Sequence, residues 1–552
     1  MQKLNMTKLP LWTALVGVAA LAFWLILAQG WAITLLQDRV KLSTGRELVV
    51  TGGAHLEIAN GLAVRLDDVT LSNPERMDDV FISAKSLRLE VGLWGLLRRK
   101  ARLAEITLES PVVRLTIDEL GRTSWPQEAS PDPAALRLHL RNSRISFLDQ
   151  RNGQGFAFDG ASMVADISAA GELTLTGSAR IGSTSAQLDA YVKDISRLTK
   201  AGSPAELVLT APTLNVAFNG RLSTADVLGL VGHVTVSGSD LRRALAWMGA
   251  ALGGDIGLKN FTLEGALDAK GRAFAVRQAS VRLDTLTAQG NIELDMLGAI
   301  PKFNALLDVG VIDLDSYIPA SGWLDGDWGK SALGYSALRG LEAGLTFSTT
   351  SLNYRGLQTG PAKIAATLSE GKLEAQILSQ VISEVQVTLD GSGAIPAFAL
   401  ALKGDLADAA RLLAPLAGLS VVDGKGSLTA AFSAHGQTQQ EMIATLQGEA
   451  EMNLTAGAVN APAIKTILPP GTAFTALNAS LAAADGIIAV KSLSLNGPSS
   501  AITATGEIDL LRQALELRVS TATTGAHIVK GPWTEPKINS DVASPYPSGT
   551  GN

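Results

Sequence analysis

The sequence predicts a mainly β protein, in which an N-terminal transmembrane helix is followed by a long antiparallel sheet with a few short helices. Three observations support this prediction. One uncharged apolar run lies near the N-terminus, apolar and polar residues alternate through much of the remaining chain, and the 552 residues include 55 glycines but only 5% aromatic side chains. Alternation with a period of two is typical of strands with one apolar and one polar face, and glycines favour tight turns between them.

The predicted membrane anchor spans residues 9–36, which contain no charged side chain and include the run LWTALVGVAALAFWLILA. At about 1.5 Å per residue, this segment is long enough to cross a hydrocarbon core of about 30 Å. Lys3 and Lys8 precede it, so the positive-inside rule predicts that residues 1–8 are cytoplasmic and that the rest is exported. A cleaved signal peptide is the alternative, although the apolar run exceeds the ~7–15 residues of a signal core.

Period-two alternation recurs along the exported body and predicts its strands. The clearest segments are LRLEVGL (87–93), LRLHL (136–140), LTLTG (173–177), LNVAF (214–218), VRLDTL (281–286) and LELRV (515–519). Helical spacing is confined to SDLRRALAWMGAAL (239–252), with Ser239 as a plausible N-cap, LADAARLLAPLAG (406–418) and TQQEMIATLQG (438–448). The body is therefore predicted to be mostly β with scattered short helices.

Seven segments are expected along the chain: composition and turn signals mark the linker and the tail, and the bounds of the C-terminal module come from the family resemblance given below. They are a cytoplasmic N-terminus (1–8), the anchor (9–36), a first β module (37–125), a proline-rich linker (126–135), a repetitive β-rich middle region (136–420), a C-terminal module (421–541) and a disordered tail (542–552). The repetition consists of turn glycines that precede β-patterned segments, namely Gly171, Gly271, Gly371 and Gly486. Their spacing suggests a structure built by adding similar β units, with chance as the alternative.

The alternating apolar surface must be covered in some way. A sheet with one continuous apolar face curls, pairs with a second sheet or holds an apolar ligand. The alternation is compatible with all three, and ordinary β sandwiches show the same pattern.

The sequence offers little for catalysis or for metal binding. It contains no cysteine, its net charge of −6 argues against a nucleic-acid partner, and its five histidines are dispersed. No phosphate loop, dinucleotide fingerprint or nucleophile elbow occurs. Asp313 and Asp315 form a pair of carboxylates that is expected on a solvated strand face, and DGDWG (325–329) resembles only a fragment of a calcium loop. We therefore expect no enzymatic activity, no cofactor and no metal site.

Three stretches share motifs with one protein family. The first is STGRELVVTGGAHLEIANGLAVRLDDVTLSNPE (43–75). The second stretch continues from there to Trp125. It has the residues of the family motif at Trp94, Leu96, Leu97, Pro111, Gly121 and Trp125, whereas Ser124 stands where the family usually has asparagine. The third comprises 424–459, 485–510 and VKGPWTEPKI (529–538). Together they resemble the AsmA family of bacterial envelope proteins, so 37–125 and 421–541 are predicted to be AsmA-type modules.

The resemblance implies a fold and a function that the periodicity does not show. It implies an elongated, curled antiparallel β-sheet groove, similar to that of bridge-like lipid transfer proteins, on a single-pass anchor in the bacterial inner membrane with the body in the periplasm. The implied function is to carry phospholipid acyl chains along the groove in support of outer-membrane biogenesis. The implied partners are phospholipid or another acyl lipid, the inner membrane and other envelope proteins. A non-catalytic scaffold or regulator of outer-membrane protein assembly is the alternative, and an enzyme of lipid or glycan metabolism is a third class.

Two sets of residues are candidate sites. A basic cluster is expected to contact anionic head groups at the membrane surface, where each charge adds up to about 1 kcal/mol, and a solvated turn is the alternative. This cluster consists of Arg98, Arg99, Lys100 and Arg102. The apolar residues expected to line the groove are Leu87, Leu89, Val91, Val281, Leu283 and Val309.

Overall fold

The computed structural model describes residues 33–540 with internal gaps. The gaps are 35, 39, 43–44, 59–61, 74–75, 92–102, 119–123, 125–134, 151–153, 182–183, 199, 225–226, 248–255, 318–327, 331–333, 407, 418–421, 460–471, 499–500 and 523–524. Contacts divide the chain into two compact units, Met1–Gly238 (unit 1) and Ser239–Asn552 (unit 2). This division falls inside the predicted middle region, and the predicted linker (apart from residue 135) and tail lie outside the described residues.

The described part of unit 1 is almost entirely β. Its strands are β1 (Leu48–Val50), β2 (Ala54–Ile58), β3 (Leu62–Asn73), β4 (Arg76–Val91), β5 (Leu103–Glu109), β6 (Val112–Ile117), β7 (Leu136–Asp149), β8 (Gln154–Ile167), β9 (Leu173–Ile181), β10 (Thr184–Val192), β11 (Ser203–Ala211), β12 (Leu214–Ser223) and β13 (Gly229–Gly238). A 3-10 turn, Ile195–Arg197, follows β10.

Neighbouring strands of unit 1 pair mostly in chain order. β1 and β2 both pair with β3, and from β7 onward each strand pairs antiparallel with the next. β5 and β6 both pair antiparallel with β4, and both run parallel to β7. The chain is interrupted between them at Ser110, which has a φ of 49°, and at Pro111, which lacks the N–H of a ladder donor. The expectation of a purely antiparallel sheet is therefore wrong here.

Unit 2 contains eighteen described strands. They are β14 (Phe261–Lys270), β15 (Ala273–Leu283), β16 (Leu286–Asp295), β17 (Lys302–Asp313), β18 (Glu342–Tyr354), β19 (Leu357–Gln358), β20 (Ala362–Ser369), β21 (Lys372–Ser379), β22 (Glu384–Asp390), β23 (Ala397–Leu406), β24 (Lys425–His435), β25 (Gln447–Val459), β26 (Thr472–Ala484), β27 (Ile487–Asn496), β28 (Ala501–Asp509), β29 (Ala514–Thr521), β30 (Gly525–Pro532) and β31 (Lys537–Ser540). Except for β19, which pairs only with the end of β18, they follow one another in chain order across one sheet.

One pair in unit 2, β17 and β18, is parallel, and all others are antiparallel. A parallel pair needs a connection that returns along the strands. This connection includes the 3-10 turns Leu314–Ser316 and Tyr335–Gly340. Its residue Trp328 is buried and donates its indole N–H to the carbonyl of Leu510, 3.0 Å away, in the turn after β28.

Alternate turns of unit 2 lie at the same end of the strands, which we call the turn rim. The turn rim comprises residues 271–272, 296–301, 370–371, 391–396, 436–446, 485–486, 510–513 and 533–536. The predicted repeat glycines in this unit, Gly271, Gly371 and Gly486, all lie there with φ between 59° and 83°. Such left-handed backbone is easiest for glycine. The predicted glycine turns are confirmed, and Gly171 makes the same turn before β9 in unit 1 with a φ of 82°.

The helices are few and short, as predicted. In unit 2 they are α1 (Leu241–Trp247), α2 (Ala409–Ala417) and α3 (Gln439–Ala444), and near the N-terminus helical residues occur within 33–42. The N-cap of α1 is Asp240, whose carboxylate accepts the N–H of Arg243, so the expected cap Ser239 is wrong by one residue. None of the helices in this described part is long and apolar enough to cross a membrane. The predicted anchor (9–36) lies outside it except for residues 33, 34 and 36.

Candidate functional site

The register of unit 1 shows which side chains share a face of its sheet. Residues directly opposite each other on neighbouring strands point to the same side, so consecutive pairs trace rows across the sheet. Two rows cross the ten strands from β3 to β13, with β6 left out, without a polar side chain. Row 1 is Val64, Leu89, Ile106, Leu138, Ala165, Leu175, Ala190, Leu207, Phe218 and Val234. Row 2 is Leu66, Leu87, Leu108, Leu140, Met163, Gly177, Leu188, Leu209, Val216 and Val236.

The opposite face of this sheet carries ion pairs between side chains of different strands. Arg88 Nε lies 2.8 Å from a Glu57 carboxylate oxygen, and Arg137 Nε lies 2.5 Å from Asp166 Oδ1. These pairs are partly exposed and add little to stability. Their carboxylate and guanidinium groups mark this face as the one in contact with water.

Unit 2 repeats the arrangement over a longer distance. Row 3 crosses sixteen strands and is Leu267, Val276, Ile292, Ala305, Leu345, Ala366, Ala375, Val387, Leu400, Phe432, Gly448, Ala483, Ile488, Ile508, Leu515 and Gly531. Row 4 lies beside it and is Ala279, Gly290, Leu307, Phe347, Ile364, Ile377, Val385, Leu402, Ala430, Ala450, Leu481, Val490, Gly506, Leu517, Val529 and Ile538. Neither row contains a polar side chain.

Most side chains of the four rows are half-buried, although a packed protein interior leaves almost no accessible area. Leu345 and Leu400 in row 3 are typical. Every described strand of a unit belongs to the one sheet of that unit, so no second described sheet covers the rows. The two-layer sandwich is therefore wrong for the part of the chain that the structure describes. An accessible apolar strip therefore remains in each unit.

Part of the strip in unit 2 is covered by α2. Leu412 of this helix is 0% exposed and belongs to a buried cluster with Leu454, Leu477 and Ile502. These strand residues lie beyond row 4 on the side away from the turn rim. The helix therefore closes one margin of the apolar strip and leaves rows 3 and 4 beside it.

In unit 1 the helical residues near the N-terminus also cover part of an apolar row. Ile33, Leu36 and Val40 pack against a buried cluster that contains Leu48 and Leu66. Row 2 is therefore covered where it begins, on β3, and half-buried on most of the strands that follow.

The N-terminal part of the chain is similar to a known protein family. Residues 4–146 match the model of the AsmA family. We call these residues the AsmA segment, because they are similar to that family. The match confirms the resemblance over its range, whereas the resemblance of 421–541 stays a prediction. No curated protein and no solved structure matches the chain.

The AsmA segment contains a buried arginine that holds two of its motifs together. Arg46 is 4% exposed and donates to the carbonyl of Ser72 at 3.2 Å and to that of Ser124 at 2.8 Å. Its guanidinium also lies 4.3 Å from the centre of the Phe81 ring. Burial lowers the pKa of Arg46 below its ordinary value, yet an arginine stays charged. Arg46 therefore holds the backbone at Ser72 and the backbone at Ser124 together, and we call this set of contacts the clamp.

Ser124, which stands where asparagine is usual in the family, completes this clamp. Its hydroxyl accepts the N–H of Thr116 at 2.8 Å and donates to the carbonyl of Arg114 at 3.1 Å. Arg46 and Ser124 are separated by 78 residues in the AsmA segment. Sequence reasoning missed this pair, because Arg46 stands between Gly45 and Glu47, where nothing in the sequence marks an arginine with buried partners.

The predicted groove residues lie on the apolar rows or beside them. Leu89 is in row 1 and Leu87 in row 2, and both are half-buried. Val281 and Val309 both pair with Ala288, so they share one row next to row 4. Leu283 follows Val281 on the same face and is also half-buried, whereas Val309 is only 6% exposed.

Several predicted features lie elsewhere or outside the described residues. The basic cluster at 98–102 and the side chain of Val91 lie outside. Asp313 caps a 3-10 turn by accepting the N–H of Asp315, and the Asp315 carboxylate accepts the N–H of Arg355 at 2.9 Å. The two acids therefore serve turn geometry, so the expected strand-face placement is wrong for Asp315. Among the described residues no group of three or more acidic or histidine side chains is placed to hold a metal ion.

Proposed function

We propose that this protein carries the acyl chains of phospholipids along its apolar rows, anchored in the bacterial inner membrane with its body in the periplasm, in support of outer-membrane biogenesis. The observation that carries the proposal is the continuity of rows 3 and 4 across sixteen strands each, with most side chains half-buried. The AsmA segment at 4–146 supports the envelope setting.

The rows can bind a flexible apolar chain and also allow it to move along them. Successive strands are about 4.8 Å apart, and rows two residues apart on a strand are separated by about 6.6 Å. An acyl chain lying along a row gains about 0.8 kcal/mol for each CH₂ that it removes from water. When it advances by one strand it exchanges one apolar neighbour for another, so the free energy along the row changes little. Binding and movement are compatible for this reason.

The proposed role is non-catalytic. It requires an apolar surface and no nucleophile, base or metal, and the ion pairs of unit 1 lie on the opposite face. The basic cluster at 98–102 is proposed to contact anionic head groups of the inner membrane, which would place the start of the apolar strip near its lipid source.

Photo-crosslinking of the full chain tests the proposal. A photoreactive amino acid at Leu400 lies in row 3, and the same group at Ala401 lies on the opposite, exposed face. We expect phospholipid adducts at Leu400 and few at Ala401 when the protein is irradiated in native membranes and analysed by mass spectrometry. Equal adducts at both positions, or none at either, would contradict lipid carriage, and the second result would favour a scaffold.

A further inference from the structure

One edge of the sheet in unit 1 carries a surplus of positive charge. Strand pairing places five connections at the same ends of the strands, which we call the basic edge, namely 59–61, 92–102, 168–172, 193–202 and 224–228. Their sequences contain seven basic and three acidic residues, which are Arg98, Arg99, Lys100, Arg102, Lys193, Arg197 and Lys200 against Glu172, Asp194 and Asp226. The surplus of four positive charges contrasts with the net charge of −6 of the whole chain.

The opposite edge of the same sheet has no such surplus. The connections there are 74–75, 150–153, 182–183 and 212–213, and their sequences contain one acidic residue, Glu75, and one basic residue, Arg151. The connection 118–135 passes from one edge to the other and belongs to neither. The positive charge is therefore a property of the basic edge and not of turns in general.

The described acidic residues of the basic edge are hydrogen-bonded within it. Asp194 accepts the N–H of Ser196 at 3.0 Å, and Glu172 accepts the hydroxyl of Tyr191 at 3.3 Å. These carboxylates therefore serve the local turns. The side chains of the three basic residues in 193–202 are all exposed.

The next turn along the basic edge exposes aliphatic side chains. Val227 is 54% exposed and Leu228 is 56% exposed, and Val231 at the start of β13 is 53% exposed. A single exposed aliphatic side chain is ordinary. Two in succession at a turn, with a third three residues later, form a small apolar patch at the edge of the sheet.

This apolar patch lies against the basic turn. The N–H of Thr224 donates to the carbonyl of Leu198 at 2.8 Å, which binds the turn with the aliphatic residues to the turn with the three basic ones. Arg221 lies directly opposite Val231 in the register, and its guanidinium donates to the carbonyl of Gly202 at 3.3 Å. Positive charge therefore borders the patch on β12 and on the basic turn.

The chemistry of the surface favours a lipid occupant. Exposed apolar patches mark contacts with proteins or with membranes. Lysine is depleted at protein interfaces, whereas clusters of lysine and arginine are attracted to anionic lipid surfaces. The basic cluster at 98–102 is attached to the same edge, because β4 ends and β5 begins there.

We propose that the basic edge docks on an anionic lipid surface, with Val227 and Leu228 among the lipid head groups and the basic residues of 193–202 against lipid phosphate groups. The docking surface takes its membrane setting from the proposed function. It does not depend on lipid carriage, because these side chains lie outside rows 1 and 2. Carriage is tested by crosslinking at Leu400, so docking and carriage can fail separately.

Fluorescence from a dye on single cysteines tests the contact, since the chain has no cysteine of its own. Full-length L228C is labelled and reconstituted in vesicles of phosphatidylcholine and phosphatidylglycerol with brominated acyl chains, which quench a dye in contact with lipid. L148C is the matched control, because Leu148 is 42% exposed and lies near the end of β7 at the opposite edge. We expect strong quenching at position 228 and little at 148. Equal quenching at both positions, or none at 228, would overturn the proposal, and the second result would favour a protein partner.

Neutralising the basic turn tests the part played by charge. In labelled L228C, the further change R197Q/K200Q should lower the equilibrium constant for docking roughly 30-fold, since each basic charge near an anionic surface contributes a factor of about five. K363Q/K403Q is the control, because both lysines are exposed on strands of unit 2, and circular dichroism should show that all variants fold. Vesicles of phosphatidylcholine alone should leave the dye unquenched. Unchanged quenching in R197Q/K200Q, or in vesicles without phosphatidylglycerol, would refute docking on an anionic surface.

Discussion

Replacing Leu400 with arginine tests whether row 3 is a path for acyl chains. Leu400 lies on β23 between Val387 and Phe432, near the middle of the row, and it is half-buried. The next residue, Ala401, lies on the opposite face and is exposed, so A401R introduces the same charge on the same strand outside the row.

The expected size of the effect follows from the cost of placing arginine against acyl chains. Insertion of arginine at the centre of an apolar membrane costs about 2.5–3.5 kcal/mol. If a passing acyl chain meets a similar penalty at L400R, and each 1.36 kcal/mol is tenfold in rate, transfer slows by roughly 70- to 400-fold. Bending of the long side chain towards the margin of the strip reduces this factor.

The assay measures transfer of a fluorescent phospholipid from vesicles that contain the full chain to acceptor vesicles. We expect L400R to be slower by one to two orders of magnitude and A401R to stay within about twofold of the original protein. Circular dichroism and thermal melting should show that both variants fold, because both positions have access to solvent. Transfer by folded L400R at the original rate would refute the reasoning.

Three further predictions concern stability and its pH dependence. L412A should lower the free energy of unfolding by about 2–5 kcal/mol, because this side chain of α2 is fully buried between the helix and the sheet, whereas R411A at the neighbouring exposed position should change it by less than about 0.5 kcal/mol in chemical denaturation. R46K keeps the charge but loses the two-pronged contact of Arg46, so we expect about 1.5–3 kcal/mol of destabilisation in the same assay, and an unchanged midpoint would contradict the clamp. Hydrogen bonds from Ser392 lower the pKa of Asp390, so this carboxylate stabilises the fold above its ordinary pKa and loses that contribution as pH falls through the lowered value. D390N should therefore lose less stability than the original protein as pH falls below the ordinary pKa of an aspartate, and a parallel loss in both proteins would contradict this.

Much of the fold could be predicted from local pattern, because each hairpin strand alternates apolar and polar residues. LELRV (515–519) and LNVAF (214–218) are strands for this reason. The parallel pair β17 and β18 could not be predicted, since the sequence of β17 is equally suited to an antiparallel neighbour. The long connection between them decides the direction, and its contact from Trp328 to Leu510 spans 182 residues.

The sequence predicted an apolar face for the candidate site, but it could not show which residues of different strands form one row. Alternation indicates that Val281 and Leu283 share a face, yet it cannot show that Val281 and Val309 lie in one row, because that depends on register. The contact between Arg46 and Ser124 was hidden for the same reason, since nothing local connects residues so far apart in the chain.

Local breaks in the alternation are what keep the rows continuous. VRQA (276–279) places two polar residues between apolar ones, which looks like the end of a strand pattern. The structure has a β-bulge there, with Gln278 at a φ of 50°, so Val276 enters row 3 and Ala279 enters row 4 on the same face. Opposite Ala279 stands Gly290, where a Cβ would lie 2.0 Å from the carbonyl oxygen of Leu306. Because a one-residue slip would turn every later side chain to the other face, the bulge and its glycine keep the strip apolar across the sheet.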